Sequence, residues 1–548
     1  MSAEETLLFV LCAVAVIVIV RWFAGKTGLP SAALLTVIGI VYALLPGPNL
    51  KLEPDIILTY VIPPLLYSAA LDSSLLDIRR NLRTVISLSV LLVLATALLV
   101  GVGFDLLVPG AALAAGVALG AAVAPPDPVA ALSVGRRAGL PGNLITLIQG
   151  EGLLNDATAL TILTVAVSAA SGRSKFSFPH AAGEFIVAAV GGVVAGVVVA
   201  FVVRWLRHIR HDPMIANTIS LATPFAAYLL GESLHVSGVL AVVIAGLIIG
   251  HDSPRYTGAA SRLQTTAVWR LVDFVLEGMV FLLIGQQLPT VVRTMSDYGM
   301  GTVMTALGVS VGVVLLIRPL WLIFTQWLPG SLHTRLGGEA QAEEASGSVR
   351  ARILDKALNG REVTALSWAG TRGVISLAAI FTLPSTVPQQ GLLQLCAFVV
   401  VLVTLVAQGV TFGPLVRWLG LRANQTDLAR ERNEARSAAV RAALDRLDEI
   451  QEEKHDNVED RAIENMRRQL EIRLERYRKR LDLLEKAESD EVPTSPQYEA
   501  ALMVRRAVIG AQREELLRWR DAGNLNDEGL RILERELDHE ERLLPDRS

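Results

Sequence analysis

The chain has 548 residues, 52% of them hydrophobic, and a formal net charge of −3 at pH 7. Its mean hydropathy is +0.46. A soluble protein of this length would divide into several domains of alternating polarity, but here the apolar residues come in long blocks. The block "FIVAAVGGVVAGVVVAFVV" at 185–203 is 19 residues without a charge, and about 18 such residues suffice to cross a bilayer core. Composition therefore excludes an ordinary soluble protein and predicts a polytopic membrane protein.

Two features of the sequence exclude other classes. No Lys or Arg precedes Arg21, so the first apolar run lacks the basic region of a signal peptide and is interpreted as the first span. Cys12 and Cys396 both lie within apolar runs, which argues against a disulfide framework or a zinc site.

Hydropathy along the chain predicts an all-α fold with about thirteen transmembrane helices. The predicted spans are 5–22, 31–46, 54–71, 84–108, 111–133, 143–170, 181–205, 215–231, 234–250, 265–288, 299–325, 362–383 and 391–418.

Basic residues are unevenly distributed between these spans. The loops after spans one, three, five, seven and nine carry Arg21, Lys26, Arg79, Arg80, Arg83, Arg136, Arg137, Arg204, Arg207, Arg210, Arg255 and Arg262. The loops after even-numbered spans carry only Lys51, Arg173, Lys175 and Arg293. Because Lys and Arg are enriched in cytoplasmic loops, the first set, the 330–361 loop and the tail are predicted to be cytoplasmic. The N-terminus is then outside a multi-pass protein of the cell membrane.

Charge is concentrated at the C-terminal end. Residues 421–548 hold 25 of the 50 Lys and Arg and 31 of the 53 Asp and Glu. We therefore predict a transmembrane domain at 1–420 and a soluble, cytoplasmic, helical tail at 421–548. A helical repeat of apolar residues marks the tail at Ile463, Met466, Leu470, Leu474, Tyr477, Leu481 and Leu484. It favours a helical hairpin or bundle, with a regulatory or dimer-linking coiled coil as the alternative.

Charged side chains at membrane depth are costly and mark functional positions. The predicted spans contain Asp127, Glu151, Asp156, Glu184, Asp273, Glu277, Arg318 and Arg372. A structural role is expected for Glu184, which lies near a span end, and for Asp273 and Glu277, which are one helical turn apart.

The segment "AVAPPDPVAA" at 122–131 predicts a break in the fifth span, because Pro125, Pro126 and Pro128 each remove a main-chain donor. Unwound main chain at membrane depth is tolerated where it lines a cavity, and transporters use it to hold ions. Asp127 inside the break is placed to meet a cation. The alternative is a proline-kinked helix with an incidental carboxylate.

A second break is predicted in span twelve, at "WAGTRGVISLAAI", where Gly370 and Gly373 flank Arg372. Spans five and twelve occupy corresponding places in the two halves, as an inverted repeat would have them. Arg372 would offset the partial negative charge at the carbonyl end of a half-helix.

Span six carries "GEGLLNDATAL" at 150–160. On a helix Glu151 and Asn155 share one face, while Asp156 projects about 100° further round from Asn155. If Arg318 neutralises Glu151, Asp156 is left free to exchange its ligand. Burial disfavours the charged form of a carboxylate and a nearby cation favours it, so such a group can hold either a proton or a metal ion. This competition is the chemistry of an antiporter.

Taken together, these residues resemble the NhaP/NHE-type sodium/proton antiporters, the Asn-Asp branch of the monovalent cation:proton antiporter superfamily. The resemblance covers residues 1 to about 420 and rests on eight segments in family order. They are "PPLLYSAALD", "APPDPVAA", "GEGLLNDATAL", "HVSGVLAVVIAGLIIG", "FLLIGQQL", "LIRPLW", "GTRGVISLA" and "VAQGVTFGPL".

The resemblance implies a homodimer whose protomers each contain two crossed broken helices. It implies that Asp156 binds the ion and the proton, with Asp127 and the main-chain carbonyl of Pro126 as further Na⁺ ligands. Asn155 would steady the broken helices, Glu151 would pair with Arg318, and Arg372 would lie at the second break. Many members have Thr and Ser where this chain has Pro126 and Gly152, which puts selectivity for Na⁺ over K⁺ in doubt.

The sequence therefore predicts a secondary active transporter that exchanges Na⁺ for H⁺ by alternating access, without net charge. Exchange of K⁺ or of several monovalent cations is the alternative. A channel would need filter-like loops, and an enzyme would need a catalytic motif such as HExxH; neither occurs in the sequence. We expect monovalent cations, protons, lipid and a second copy of the chain as partners, and no enzymatic activity, cofactor or nucleic acid.

Overall fold

The computed structural model describes residues 3–27, 29–45, 56–171, 178–209, 212–293, 295, 298–327, 358–384, 386–422, 425–452, 460–485, 496–522, 524–525 and 527–542. All regular secondary structure in these ranges is helical. Most of the loop predicted at 330–361 and the predicted span residues 46, 54 and 55 lie outside them. The chain divides into two compact units, Met1–Ala423 and Asn424–Ser548.

The first unit contains seventeen described helices. Those up to the first break are α1 Ala3–Thr27, α2 Ser31–Ala43, α3 Ile57–Leu71, α4 Leu75–Arg80, α5 Leu82–Leu107 and α6 Leu113–Val123. Those from there to the second break are α7 Pro128–Ala138, α8 Gly142–Ala170, α9 Phe178–Ile209, α10 Pro213–Ser233, α11 Gly238–Tyr256, α12 Ala259–Gln286, α13 Leu288–Arg293, α14 Met300–Trp327 and α15 Gly360–Trp368. The last two are α16 Val374–Phe381 and α17 Gln390–Trp418.

Eight helical segments within the described ranges are long and apolar enough to cross a membrane by themselves. They lie in α1, α5, α8, α9, α10, α11, α14 and α17. The other predicted spans coincide with helices that are short or broken or, in the case of α12, less apolar. The count of thirteen transmembrane helices stays a prediction. The long, apolar segments make the chain an integral membrane protein.

Each break separates two half-helices, α6 from α7 and α15 from α16, and the same two long helices pack against both pairs. Both α8 and α17 contact all four half-helices, α6, α7, α15 and α16. Close packing of α6 against α5 depends on Gly120, where an added Cβ would lie 2.7 Å from the Cα of Ala97. The breaks are thereby held in the interior of the unit.

The second unit contains two helical pairs. The helices are α18 Gln425–Glu452, α19 Asp460–Glu485, α20 Pro496–Asp521 and α21 Asp527–Arg542. α18 packs on α19, and α20 packs on α21. The predicted apolar repeat of α19 is only partly covered, since Ile463, Leu474 and Leu484 are buried while Met466 is exposed.

Candidate ion site

The first break lies between α6 and α7. Asp127 ends the unwound segment 124–127, and its Oδ1 accepts a hydrogen bond from the main-chain N–H of Val129 at 2.9 Å. The side chain thus caps α7, whose first residue is Pro128. A proline is tolerated there because the first helical N–H has no partner within the helix. One carboxylate oxygen is used by the cap, and Oδ2 is not.

The second break, residues 369–373 between α15 and α16, crosses the first. The main-chain N–H of Asp127 donates to the carbonyl of Thr371 at 2.6 Å, and Thr371 Oγ1 donates to the carbonyl of Asp127 at 3.0 Å. An added Cβ at Gly373 would lie 2.6 Å from both Cβ and Cγ of Asp127. The two unwound segments are therefore hydrogen-bonded to each other at close range.

Helix α8 supplies an amide to this crossing. Asn155 is completely buried, and its Nδ2 donates to the carbonyl of Pro126 at 3.0 Å. Because a carbonyl oxygen has two lone pairs, Pro126 can still accept a second partner. The amide fixes the first break against α8.

One helical turn earlier, Glu151 forms a two-pronged ion pair with Arg318 of α14. Arg318 Nη1 and Nη2 donate to Glu151 Oε1 and Oε2, the second pair at 2.8 Å. Arg318 Nε donates to the carbonyl of Leu366 at 2.9 Å, so α14 also holds the end of α15. Both residues are at least 98% buried, and their charges cancel within one pair.

Asp156 differs from Glu151 although both lie on α8. It is 5% exposed, and within the described ranges its carboxylate has no ion pair and no hydrogen bond. It lies close enough to Asp127 for the two carboxylates to repel each other. A buried carboxylate without a fixed cation can be neutralised by a proton or by a bound metal ion.

Arg372 lies at the second break, as the sequence predicts, and is 2% exposed. Its guanidinium interacts electrostatically with Arg318 and Glu151, not with Asp156. Its main-chain N–H donates to Thr404 Oγ1 of α17 at 3.0 Å. The guanidinium of Arg372 therefore lies beside the neutral Glu151–Arg318 pair and not beside the Asp156 carboxylate.

The two acids of α12 have different partners. Asp273 Oδ2 accepts from Ser68 Oγ of α3 at 2.6 Å, and Glu277 interacts with Asp127, Asp273 and Arg21. Arg270, three residues before Asp273 on α12, is exposed and pairs with neither acid in the described structure.

Sequence reasoning did not single out Thr371 and Thr404, which hold the second break. Thr371 lies within "GTRGVISLA", and Thr404 lies just before "VAQGVTFGPL". Thr404 is also a lone polar residue in the apolar run "VVVLVTLVA". That isolation is the signal that could have identified it. Gly152 also has a steric role, because an added Cβ there would lie 2.5 Å from Cγ of Pro128. A serine would require the proline to move.

Two broken helix pairs that cross beside a buried carboxylate without a fixed cation are an arrangement typical of secondary transporters. The sequence pattern described as "Sodium/hydrogen exchanger, transmembrane" matches residues 13–418. An uncharacterised Na⁺/H⁺ exchanger of Mycobacterium tuberculosis is 30% identical over 98% of this chain and 95% of its own length. The chain belongs to the sodium/hydrogen exchanger family, and is an antiporter.

Two further proteins are similar over about three quarters of the chain. The sodium, potassium, lithium and rubidium/H⁺ antiporter of Bacillus pumilus is 27% identical over 75% of this chain and 61% of its own length. The sodium proton antiporter MjNhaP1 of Methanocaldococcus jannaschii, whose structure is known at pH 8, matches with a TM-score of 0.59 and 16% identity. That match covers 76% of this chain and 99% of the other and shows a shared fold.

Proposed function

We propose that the chain exchanges Na⁺ for H⁺ by alternating access and that Asp156 carries each in turn. The observation that carries this proposal is the contrast along α8. Glu151 is neutralised by Arg318, whereas Asp156, which is also buried, has no fixed partner in the described part of the chain.

Two groups of the first break are proposed to bind a small cation together with Asp156. Asp127 Oδ2, which the helix cap does not use, and the second lone pair of the Pro126 carbonyl join the Asp156 carboxylate as ligands. Protonation of Asp156 removes the charge that attracts the metal ion, so that proton and cation compete. The unwound main chain supplies a carbonyl without the loss of a helical hydrogen bond, because the helix is already broken there.

We propose the exchange of one proton for one cation because, of the carboxylates at the two breaks and on α8, Asp156 is the one that has neither a hydrogen bond nor an ion pair in the described structure. Replacing one positive charge with another transfers no net charge. In this scheme Asn155 positions the first break, the Glu151–Arg318 pair holds α8 to α14, and Arg372 compensates the carbonyl end of α15.

A cation-resolved exchange assay tests the function. Purified protein in vesicles that contain a pH-sensitive dye is given a pH gradient and then Na⁺, Li⁺ or K⁺. We expect Asp156→Asn to abolish cation-dependent proton movement. Asp105→Asn, which removes an exposed carboxylate of α5, is the matched control and should leave exchange unchanged. Normal exchange by Asp156→Asn would refute the assignment.

Exchange of K⁺, or of several cations, is the second candidate. It is favoured by the name of the B. pumilus relative, which includes potassium, and by the absence of side-chain hydroxyls at Pro126 and Gly152. In the same assay, equal rates with Na⁺ and K⁺ would establish it. With Na⁺ as the substrate, a rate that changes with a membrane potential set by valinomycin would contradict electroneutral exchange. Valinomycin itself carries K⁺, so with K⁺ as the substrate the potential is set by the gradient of a lipophilic ion that carries no proton.

We further propose a homodimer in the cell membrane with the N-terminus outside and the tail in the cytoplasm. The distribution of basic loop residues supports the orientation, and the resemblance supports the dimer. Impermeant labelling of single cysteines introduced at Glu4 and at Arg436, in a variant without the two native cysteines, tests the orientation. Native mass spectrometry of the detergent-purified protein tests the dimer.

A further inference from the structure

A π-helical turn interrupts α17 beside the second break. It comprises Thr404–Gln408, and its first and last residues are polar and buried, with 1% and 4% exposed. π-Helical turns are rare and frequently occur at functional positions. The proposed ion-binding residues do not include either side chain.

The hydroxyl of Thr404 has a defined direction. Its Oγ1 donates to the carbonyl of Val400, one turn earlier in the same helix, at 2.9 Å. A hydroxyl has one proton, and its remaining capacity is to accept. One of its two lone pairs accepts a hydrogen bond from the main-chain N–H of Arg372 at 3.0 Å. Thr404 therefore presents an acceptor to the unwound segment.

Arg372 requires such an acceptor. Its N–H lies outside any helix and is buried, and an unpaired buried N–H is costly. The residue before it, Thr371, is bonded to Asp127 through both its carbonyl and its side chain. Consecutive residues of the second break are thus held from two sides, by the first break and by α17.

The side chain of Arg372 provides little anchoring of its own. Its Nε and Nη1 are buried and have no hydrogen-bond partner in the described structure. The nearby Glu151 is already occupied by Arg318. The position of Arg372 is therefore set mainly by its main chain, which is held by Thr404.

We propose that Thr404 is a positioning residue of the ion site, whose hydroxyl holds the Arg372 peptide so that the second break keeps its place against Asp127. This rests on the proposed function, because the site it positions is the one that Asp156 and Asp127 form. Thr404 itself does not bind the transported ion.

Three variants test the role by transport. Thr404→Val removes the acceptor and keeps the side-chain volume; Thr404→Ser keeps the hydroxyl. Thr96→Val removes a hydroxyl that is equally buried but donates only within its own helix, to Leu92 at 2.7 Å. We expect Thr404→Val to raise the half-maximal Na⁺ concentration about tenfold, the effect of one lost buried hydrogen bond, with little change in maximal rate. Thr404→Ser and Thr96→Val should match the wild type.

Hydrogen exchange of the main-chain amides gives a readout that does not depend on transport. Thr404→Val should accelerate exchange in the peptide that covers 368–374, and Thr404→Ser should not. If the valine protein cannot be purified folded, Thr404→Ala removes the same oxygen. Wild-type Na⁺ dependence together with wild-type amide protection in Thr404→Val or Thr404→Ala would overturn the proposal. So would a Thr404→Ser protein whose Na⁺ dependence is impaired as much as that of Thr404→Val. A wild-type protein that exchanges no cation would instead refute the proposed function.

Discussion

Asp127 and Thr371 form a reciprocal pair in which each residue both donates to and accepts from the other. The main-chain N–H of Asp127 donates to Thr371, and the Thr371 hydroxyl donates to the carbonyl of Asp127. Since these residues lie in the two unwound segments, the pair joins both breaks at the point where they cross. A change in one break is expected to displace the other.

Gly373→Ala tests how tightly the breaks are packed. The glycine has an extended main chain, with φ −127° and ψ −154°, which alanine can adopt. The added Cβ would nevertheless lie 2.6 Å from Cγ of Asp127, so Asp127 must move. Overpacking of this kind costs about 1–3 kcal/mol, and we expect exchange in vesicles to be lost or greatly reduced.

The control for that variant is Gly360→Ala at the start of α15, where an added Cβ meets no atom within 4 Å. It should transport normally. A Gly373→Ala protein with wild-type affinity for Na⁺ would show that Asp127 is not confined by the second break.

Glu151→Gln should mainly lower stability. It removes the counter-charge of Arg318, which is 2% exposed, and breaking a buried pair in this way costs about 3–5 kcal/mol. The thermal unfolding temperature in detergent, followed by tryptophan fluorescence, should fall markedly. The double variant Glu151→Gln/Arg318→Met, which removes both charges, should recover part of the loss.

A stable and fully active Glu151→Gln protein would contradict the structural role of the pair. If stability stays normal but exchange is lost, Glu151 would have to be a transport residue rather than a structural one.

Asn155→Ala tests the link between α8 and the first break. The variant removes Nδ2 of Asn155, which donates to the carbonyl of Pro126 at 3.0 Å. Leaving a buried acceptor without its donor lowers the free energy of unfolding by about 1–3 kcal/mol. We expect a slower exchange rate and a weaker Na⁺ dependence in vesicles. Asn143→Ala is the control, because that side chain lies at the start of the same helix and, among the described residues, bonds only to its neighbour, Leu144. Equal rates for both variants would refute the tether.

The tail offers a test that is independent of the ion site. Ile509 of α20 is 2% exposed and packs with Leu537 of α21. Truncating a buried Ile to Ala typically costs about 2–5 kcal/mol, so Ile509→Ala should make the tail of the full-length protein cleavable at lower protease concentration. Val508→Ala, at a neighbouring residue that is 51% exposed, should not. Unchanged cleavage in Ile509→Ala would show that this pair does not hold the tail together.

Local sequence accounts for much of the fold. Long apolar blocks predict the long helices because only helical main chain satisfies its own hydrogen bonds in lipid. The prolines around Asp127 predict the first break because they cannot donate. The period of 3.6 residues predicts that Glu151 and Asp156 face different partners.

The partners themselves depend on tertiary structure. The bond between Asp127 and Thr371 joins residues 244 positions apart, and the bond between Glu151 and Arg318 spans 167. No local pattern encodes such contacts, because they arise only when helix packing brings the two breaks and α14 together. The sequence by itself determined which groups are buried and charged; packing decided which of them are neutralised and left Asp156 without a fixed partner in the described chain.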